Sequence, residues 1–245
     1  MNHRPCQINV YPCPASAEPS QFCGTVTVVI DVLRATSVFT YATQSGIRGV
    51  VPVLNVETAL QLKANYPPGE VLLGGERESV LIEGFDLGNS PQHYTPEKVS
   101  GKTLIFTTTN GTVAMHAARA ARCIYIASFL NAAAVVDCLQ HEDNIAILCA
   151  GRLGEEGEDD SLLAGCLTFR LKQRRNYQLN ADAERVAGLW HEPMNTAELE
   201  TLLRASGGGQ NLINLGLDAD ITVSARLDTI NVVPRLTPAE HLPEW

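Results

Sequence analysis

The sequence predicts an α/β protein, a three-layer α/β/α arrangement around a mainly parallel or mixed sheet. Two observations carry this expectation. Apolar, β-branched runs of strand length alternate with helical stretches through the first two-thirds of the chain. Those runs are apolar on both faces, as in a sheet covered by helices on either side. The 245 residues, 45% apolar and 18% charged, suffice for a sizeable core and read as one domain over 1–245.

The first strand is expected over residues 25–31, a β-branched run that ends on an acid. Thr36 or Ser37 caps the helix after it, which carries Val38, Phe39, Tyr41 and Ala42 and closes at Gly46. A second strand at 49–53 leads to Asn55 and a helix through Ala59, Leu60 and Leu62. A third, at 70–73, reaches Gly74 and Gly75. The same order then returns: strand 103–106, helix 113–121, strand 124–127, Asn131, a helix through Leu139, strand 144–149 and Gly151. An offset of 76 residues lays Thr36 on Thr112, Asn55 on Asn131 and Gly75 on Gly151 without a gap. Pseudo-repeats over 26–91 and 102–167 are therefore expected, with a shared α/β rhythm of separate origin as the alternative. Beyond Gly165 the sequence predicts a helix over 166–174, a polar span to about Thr196, a helix over 197–205 and strands at 221–223 and 230–233. The stretch Ser206–Gln210, with three glycines, lacks the preceding strand and the Gly-Lys-Ser/Thr ending of a phosphate loop, and reads as a hinge or turn.

The net charge of −9 is spread along the chain, with basic residues clustered only at 172–175. Nucleic acid and anionic membranes both need a basic footprint, so neither is an expected partner. Seven cysteines form no Cys-x₂-Cys pair and have no paired histidines, against structural zinc and a disulfide framework. No apolar stretch has the length of a signal peptide or a membrane span. The expectation is a cytoplasmic protein with most cysteines buried.

Ligands of parallel sheets sit beyond the carboxyl ends of the strands. The residues there are unusual. Asp31-Val-Leu-Arg34-Ala-Thr36-Ser37 places an acid, an arginine and hydroxyls at a helix start, where an oxyanion meets free N–H groups and the positive end of the macrodipole. Arg34 offers a bidentate clamp. An N-cap with an Asp31–Arg34 ion pair is the structural alternative. Thr107-Thr108-Thr109-Asn110-Gly111-Thr112 is a second oxyanion cradle, or else a strand end running into an Asn-Gly turn. Gly74-Gly75-Glu76-Arg77 and Gly84-Phe-Asp-Leu-Gly-Asn89-Ser90-Pro91 form a long loop of functional type, or a solvated one. Arg152 follows Gly151, and Glu158-Asp159-Asp160 precede an apolar helix. There they either complement the helix dipole or, opposite Asp31 and Glu76, suit a hard cation such as Mg²⁺.

Two established phosphatase schemes fail on these residues. Asp31-Val-Leu-Arg34 lacks the second acid of the haloacid-dehalogenase nucleophile motif, and Cys149 stands too close to Arg152 for a Cys-x₅-Arg loop. The histidines, at 3, 93, 116, 141, 191 and 241, show no paired spacing; only His93, just past the third motif, merits substitution.

Taken together, Asp31-Val-Leu-Arg-Ala-Thr, Gly-Gly-Glu-Arg77, Gly-Phe-Asp-Leu-Gly-Asn-Ser-Pro91, Thr-Thr-Asn-Gly-Thr112 and Cys-Ala-Gly-Arg152 with Asp159-Asp160 resemble the 2-phosphosulfolactate phosphatase family. The likeness spans roughly residues 25–166 and extends to the tail from Ser206 through Asp220 to Pro234. It implies an α/β fold of the family's own type and Mg²⁺-dependent hydrolysis of 2-phospho-3-sulfolactate to 3-sulfolactate and phosphate, a step towards coenzyme M where that pathway exists. Asp159 stands where the family pattern places Glu. For so small and so highly anionic a substrate, Arg34, Arg77 and Arg152 are expected to grip the anionic groups. Asp31, Glu76 and Asp160 are expected to hold Mg²⁺ or handle protons, and the turn at Asn110 to serve the phosphoryl oxygens. Asp31, Arg34, Glu76 and Asn110 form the catalytic set. Thr36, Asn89, Ser90, Thr108, Thr109, Gly111 and Thr112 complete the substrate-binding one. Attack by water is the first reading and a phospho-enzyme on Asp31 the second. A phosphatase of another small phospho-acid, or a non-catalytic anion-binding protein on the same scaffold, stays open, as does a homodimer.

Overall fold

The β-branched run at the head of the sequence forms β2 (Val26–Ile30), whose five residues are all buried. It sits at the centre of the protein in a computed structural model that describes residues 6–236. His3 and His241 lie outside the described residues. Two sheets organise the rest. The first contains β10 (Arg235–Leu236), β7 (Cys123–Ala127), β2, β8 (Asn144–Cys149), β1 (Gln7–Tyr11) and β9 (Gln178–Leu179), in that order. All its pairings are parallel except that of β10 with β7. The second has the order β3 (Gly49–Pro52), β6 (Thr103–Thr107), β4 (Val71–Arg77) and β5 (Val80–Leu81), with only β5 antiparallel.

The alternation of side chains along the strands explains the layers. Val26, Val28 and Ile30 of β2 enter a core closed by α5 (Ala132–Leu139), α6 (Glu158–Arg174) and α7 (Ala181–Ala187). Val29 enters a second core, filled by α1 (Ala35–Gln44) and α4 (Gly111–Ala117) and shared with Leu104 and Phe106 of β6. There the rings of Phe39 and Phe106 meet edge to face at 4.9 Å. Ile105 points the other way, to Leu73 and to Ala59 of α2 (Val56–Lys63). Each sheet thus has helices on both faces, and the two share the layer made by α1 and α4.

The segments on either side of the 76-residue offset do not build separate sheets. β2 lies between β7 and β8, while β6 lies between β3 and β4, so the first strand of each segment is inserted between the other's second and third strands.

Several elements differ from expectation. β1 adds a strand, and α3 (Pro96–Val99) a short helix, for which no motif stood out. The presumed loop after 73 continues β4 through Arg77 and returns as β5. Its two-residue turn, Glu78 and Ser79, has φ of 53° and 66°, the mirror-image geometry that suits a hairpin's twist. The polar span holds α7. α8 (Thr196–Ala205) is found as predicted, but the glycines after it open α9 (Gly207–Asn214) rather than a hinge, with the Ser206 side chain accepting from Gly209 N at 3.0 Å. A Cβ on Gly209 would stand 1.9 Å from the carbonyl of Leu203, so the glycine permits the sharp corner between helices. Residues 221–223 lie in α10 (Ala219–Ser224), not a strand; three β-branched residues set no period, and burial of Ile221 and Val223 decides. No strand forms at 230–233. The seven cysteines are all free, four of them buried. Among the described residues no helix is long and apolar enough to cross a membrane.

Candidate active site

Interleaving the strands brings four carboxyl ends together. β2 runs into Asp31, β4 carries Glu76, β6 leads to Thr109 and Asn110, and β8 to Gly151 and Arg152; all six line one cleft of about 280 Å³. Arg34, Asn89 and Asp160 line it too, and Gly208, Asn211 and Leu212 of α9 form one wall. Asp31, Arg34, Glu76 and Asn110, expected to converge, therefore do so.

The carboxylates are not equivalent. Asp31 is 8% exposed, and burial pushes its carboxyl up to about 7; Asp159 and Glu76 add to the rise, while the Ala35 N–H, 3.2 Å from Oδ1, and Arg34 oppose it. Burial likewise lifts Asp159 to about 6, with Glu158 adding and Arg152 opposing. Asp160 is raised well above the usual range by burial and then by Asp159 and Asp31. It accepts from Val32 N at 2.8 Å and from Gly151 N at 3.0 Å, stapling the end of β2 to that of β8. Glu76 does the same elsewhere, taking Ser79 N at 2.7 Å and Thr109 N at 2.8 Å. Both carboxylate oxygens of each are committed to the backbone.

Asp159 lines the cleft without having been singled out there. The acidic triplet at 158–160 was the available signal, but consecutive residues at a helix start do not reveal which one faces inward.

Other expected residues lie behind the cleft. Thr36 Oγ1 donates to Asp31 O at 2.8 Å and receives Asp31 N at 3.1 Å, so it locks the strand-to-helix turn. Thr112 Oγ1 serves Thr108 in the same way, at 2.9 and 3.2 Å, and Thr108 Oγ1 receives Thr112 N. None of these hydroxyls lines the cleft. Gly111 faces Asp31: a Cβ there would lie 2.5 Å from Oδ2 and 2.8 Å from the Cβ of Ala35. Arg77 donates to Leu54 O, Glu76 O and Thr107 Oγ1 at 2.8–3.1 Å and ties strands together behind the cleft. Ser90 donates to Asp220.

Arg34 is 3% exposed and pairs with Asp220 at 2.6 Å, not with Asp31 as its place in the sequence suggested; its Nη2 donates to Ser79 O at 3.2 Å. Arg152 is exposed and donates to Gly207 O at 2.9 Å. Asn110 stands at the N-cap position of α4 without a side-chain capping bond, which leaves its amide to the cleft. Asn89, 8% exposed, has a buried Oδ1 with no hydrogen-bond partner. Such an acceptor is costly unless a ligand or water completes it. His93 is exposed and away from the cleft, while His116 bonds Pro52 O at 3.1 Å and is a packed residue.

Residues 11–238 match the family model described as 2-phosphosulpholactate phosphatase. The chain belongs to the 2-phosphosulfolactate phosphatase family. A relative from Symbiobacterium thermophilum is 40% identical over 222 residues, covering 90% of this chain and 94% of its own. One from Thermotoga maritima is 41% identical over 209 residues (85% and 88%), and one from Clostridium acetobutylicum 38% over 216 (88% and 91%). Each bears the name probable 2-phosphosulfolactate phosphatase. In this family member, the cleft collects strand-end residues from across most of the matched span.

Proposed function

We propose that the protein hydrolyses 2-phospho-3-sulfolactate to 3-sulfolactate and inorganic phosphate at this cleft, with magnesium as cofactor. The observation that carries the reading is the meeting of two arginines, three asparagine amides and buried carboxylates in one small cleft. The family and the names of the relatives point to the same chemistry.

Among the described residues no three His, Cys, Asp or Glu side chains form a ready ligand set. Magnesium held through one or two carboxylates and its own waters needs no such set. Asp31 and Asp159 fit that description. Both are buried and lifted towards neutrality, and the charge of Asp159 raises Asp31, a repulsion that a cation relieves. Glu76 and Asp160 support the strand ends instead. When bound, magnesium supplies charge neutralisation at the phosphoryl oxygens. Arg34 and Arg152 direct N–H groups at anionic oxygens, and Asn110 and Asn89 add amide contacts. In this reading Asp31 takes a proton from attacking water.

The test is phosphate release from a panel of small phospho-acids with and without Mg²⁺. We expect kcat/KM for 2-phospho-3-sulfolactate to exceed that for the others by at least about tenfold, and chelation to abolish turnover. Equal rates across the panel would favour another substrate. Binding of the phosphoester without release would favour an anion-binding role.

The same carboxylates predict a pH dependence of stability. Asp31 at about 7 and Asp159 at about 6 exceed their ordinary 3.8. Between about pH 4 and 7 the folded protein therefore holds more protons than the unfolded one, so metal-free stability should fall as pH rises through that window. Magnesium needs the ionised groups, and its stabilisation should grow with pH. Melting curves at about pH 5 and pH 8, in chelator and in excess Mg²⁺, measure this linkage. A magnesium increment of equal size at both values would reject Asp31 and Asp159 as ligands.

A further inference from the structure

Asp220 comes from α10, far along the chain from the strand-end motifs, yet it sits directly behind the cleft. It is 2% exposed, and both its oxygens are taken: Oδ2 by Arg34 Nη1 at 2.6 Å and Oδ1 by Ser90 Oγ at 2.5 Å. A carboxylate so engaged cannot reach a substrate. It can, however, hold two things that do line the cleft. One is the guanidinium of Arg34; the other is the loop in which Ser90 adjoins Asn89, whose Oδ1 lacks a partner.

A buried guanidinium needs a counter-charge, and an arginine has five N–H donors in a rigid fork. Asp220 takes one and Ser79 O a second, so both terminal nitrogens of the fork are pinned on a residue that lines the cleft. Donors fixed before the substrate arrives need no reorganisation in the transition state. We propose that Asp220 is a positioning residue, which aims Arg34 and, through Ser90, keeps the Asn89 loop in register with it. The proposal rests on Arg34 acting on the substrate.

Steady-state phosphate release by the full-length protein with Mg²⁺ tests it. Asp220→Ala should lower kcat/KM about a hundredfold and raise both KM and the inhibition constant of inorganic phosphate at least about fivefold. Asp220→Asn keeps an acceptor for Arg34 and a donor for Ser90, and should recover at least about tenfold of that loss. In an Arg34→Ala background, Asp220→Ala should add less than about a twofold change, because residues acting as a unit do not lose activity twice. A purely structural role would reduce the active fraction and leave KM and phosphate inhibition as in the parent. That result, or losses that multiply in the double variant, would overturn the proposal. Should Asp220→Ala fail to fold, Ser90→Ala decides: it keeps the ion pair but removes one support, and a KM equal to the parent's would refute the role. Full activity in Arg34→Ala would instead remove Arg34 from the proposed chemistry. Loss in Arg34→Ala with unaffected Asp220 variants removes only Asp220.

Discussion

Asp31→Asn is expected to lower kcat/KM for phosphate-ester hydrolysis by at least about a hundredfold, and Arg34→Ala by a similar factor. The first change is nearly isosteric. An Asn oxygen can still accept the Ala35 N–H that Oδ1 takes at 3.2 Å, so the turn into α1 should survive. What disappears is a buried group held near 7, able both to titrate near neutral pH and to carry charge towards a cation. Arg34→Ala differs in kind, because it also strips Asp220 of its ion-pair partner at 2.6 Å. A buried charge left alone destabilises, so in chelator this variant should melt below the parent whereas Asp31→Asn should not. Kinetics at saturating Mg²⁺, with melting curves of both proteins, separate the two effects. Near-parental kcat/KM in both variants would exclude the end of β2 from the chemistry.

The sequence was most informative where a residue's surroundings are its chain neighbours. β-branched runs bounded by turns gave most strands of the two sheets, and the residues after them gave the cleft. Where long-range packing decides, local pattern misled. Arg34 finds its counter-charge 186 residues away in Asp220, and not in Asp31, its partner in the structural alternative. Thr36, Thr108 and Thr112 resembled an anion cradle, but a strand that turns sharply into a helix must satisfy its own backbone, and their hydroxyls do that. Arg77 was equally suggestive and is spent on carbonyls and Thr107. The glycines at 207–209 read as a hinge because their use, close approach of α9 to α8 and to Asp159, exists only in three dimensions. A Cβ on Gly208 would lie 3.2 Å from Asp159 Oδ2.

Gly111→Ala tests that same kind of contact directly behind Asp31. Helix propensity alone would favour it, since Ala is better than Gly within a helix by about 1 kcal/mol. The packing argues the opposite. Ala35 and Gly111, which correspond under the 76-residue offset, touch where α1 and α4 begin, and a second methyl there would sit 2.8 Å from the first. It would also sit 2.5 Å from Asp31 Oδ2, in a side chain whose other oxygen is tied to Ala35 N. Something must move, and we expect destabilisation together with a loss of at least about a hundredfold in kcat/KM as Asp31 is displaced. Adding Ala35→Gly separates the two clashes. The double variant removes the methyl-to-methyl contact and should regain much of the melting temperature, but the methyl still crowds Asp31, so activity should stay low. Recovery of activity in step with stability would mean that the glycine serves helix packing alone and that the position of Asp31 tolerates the shift.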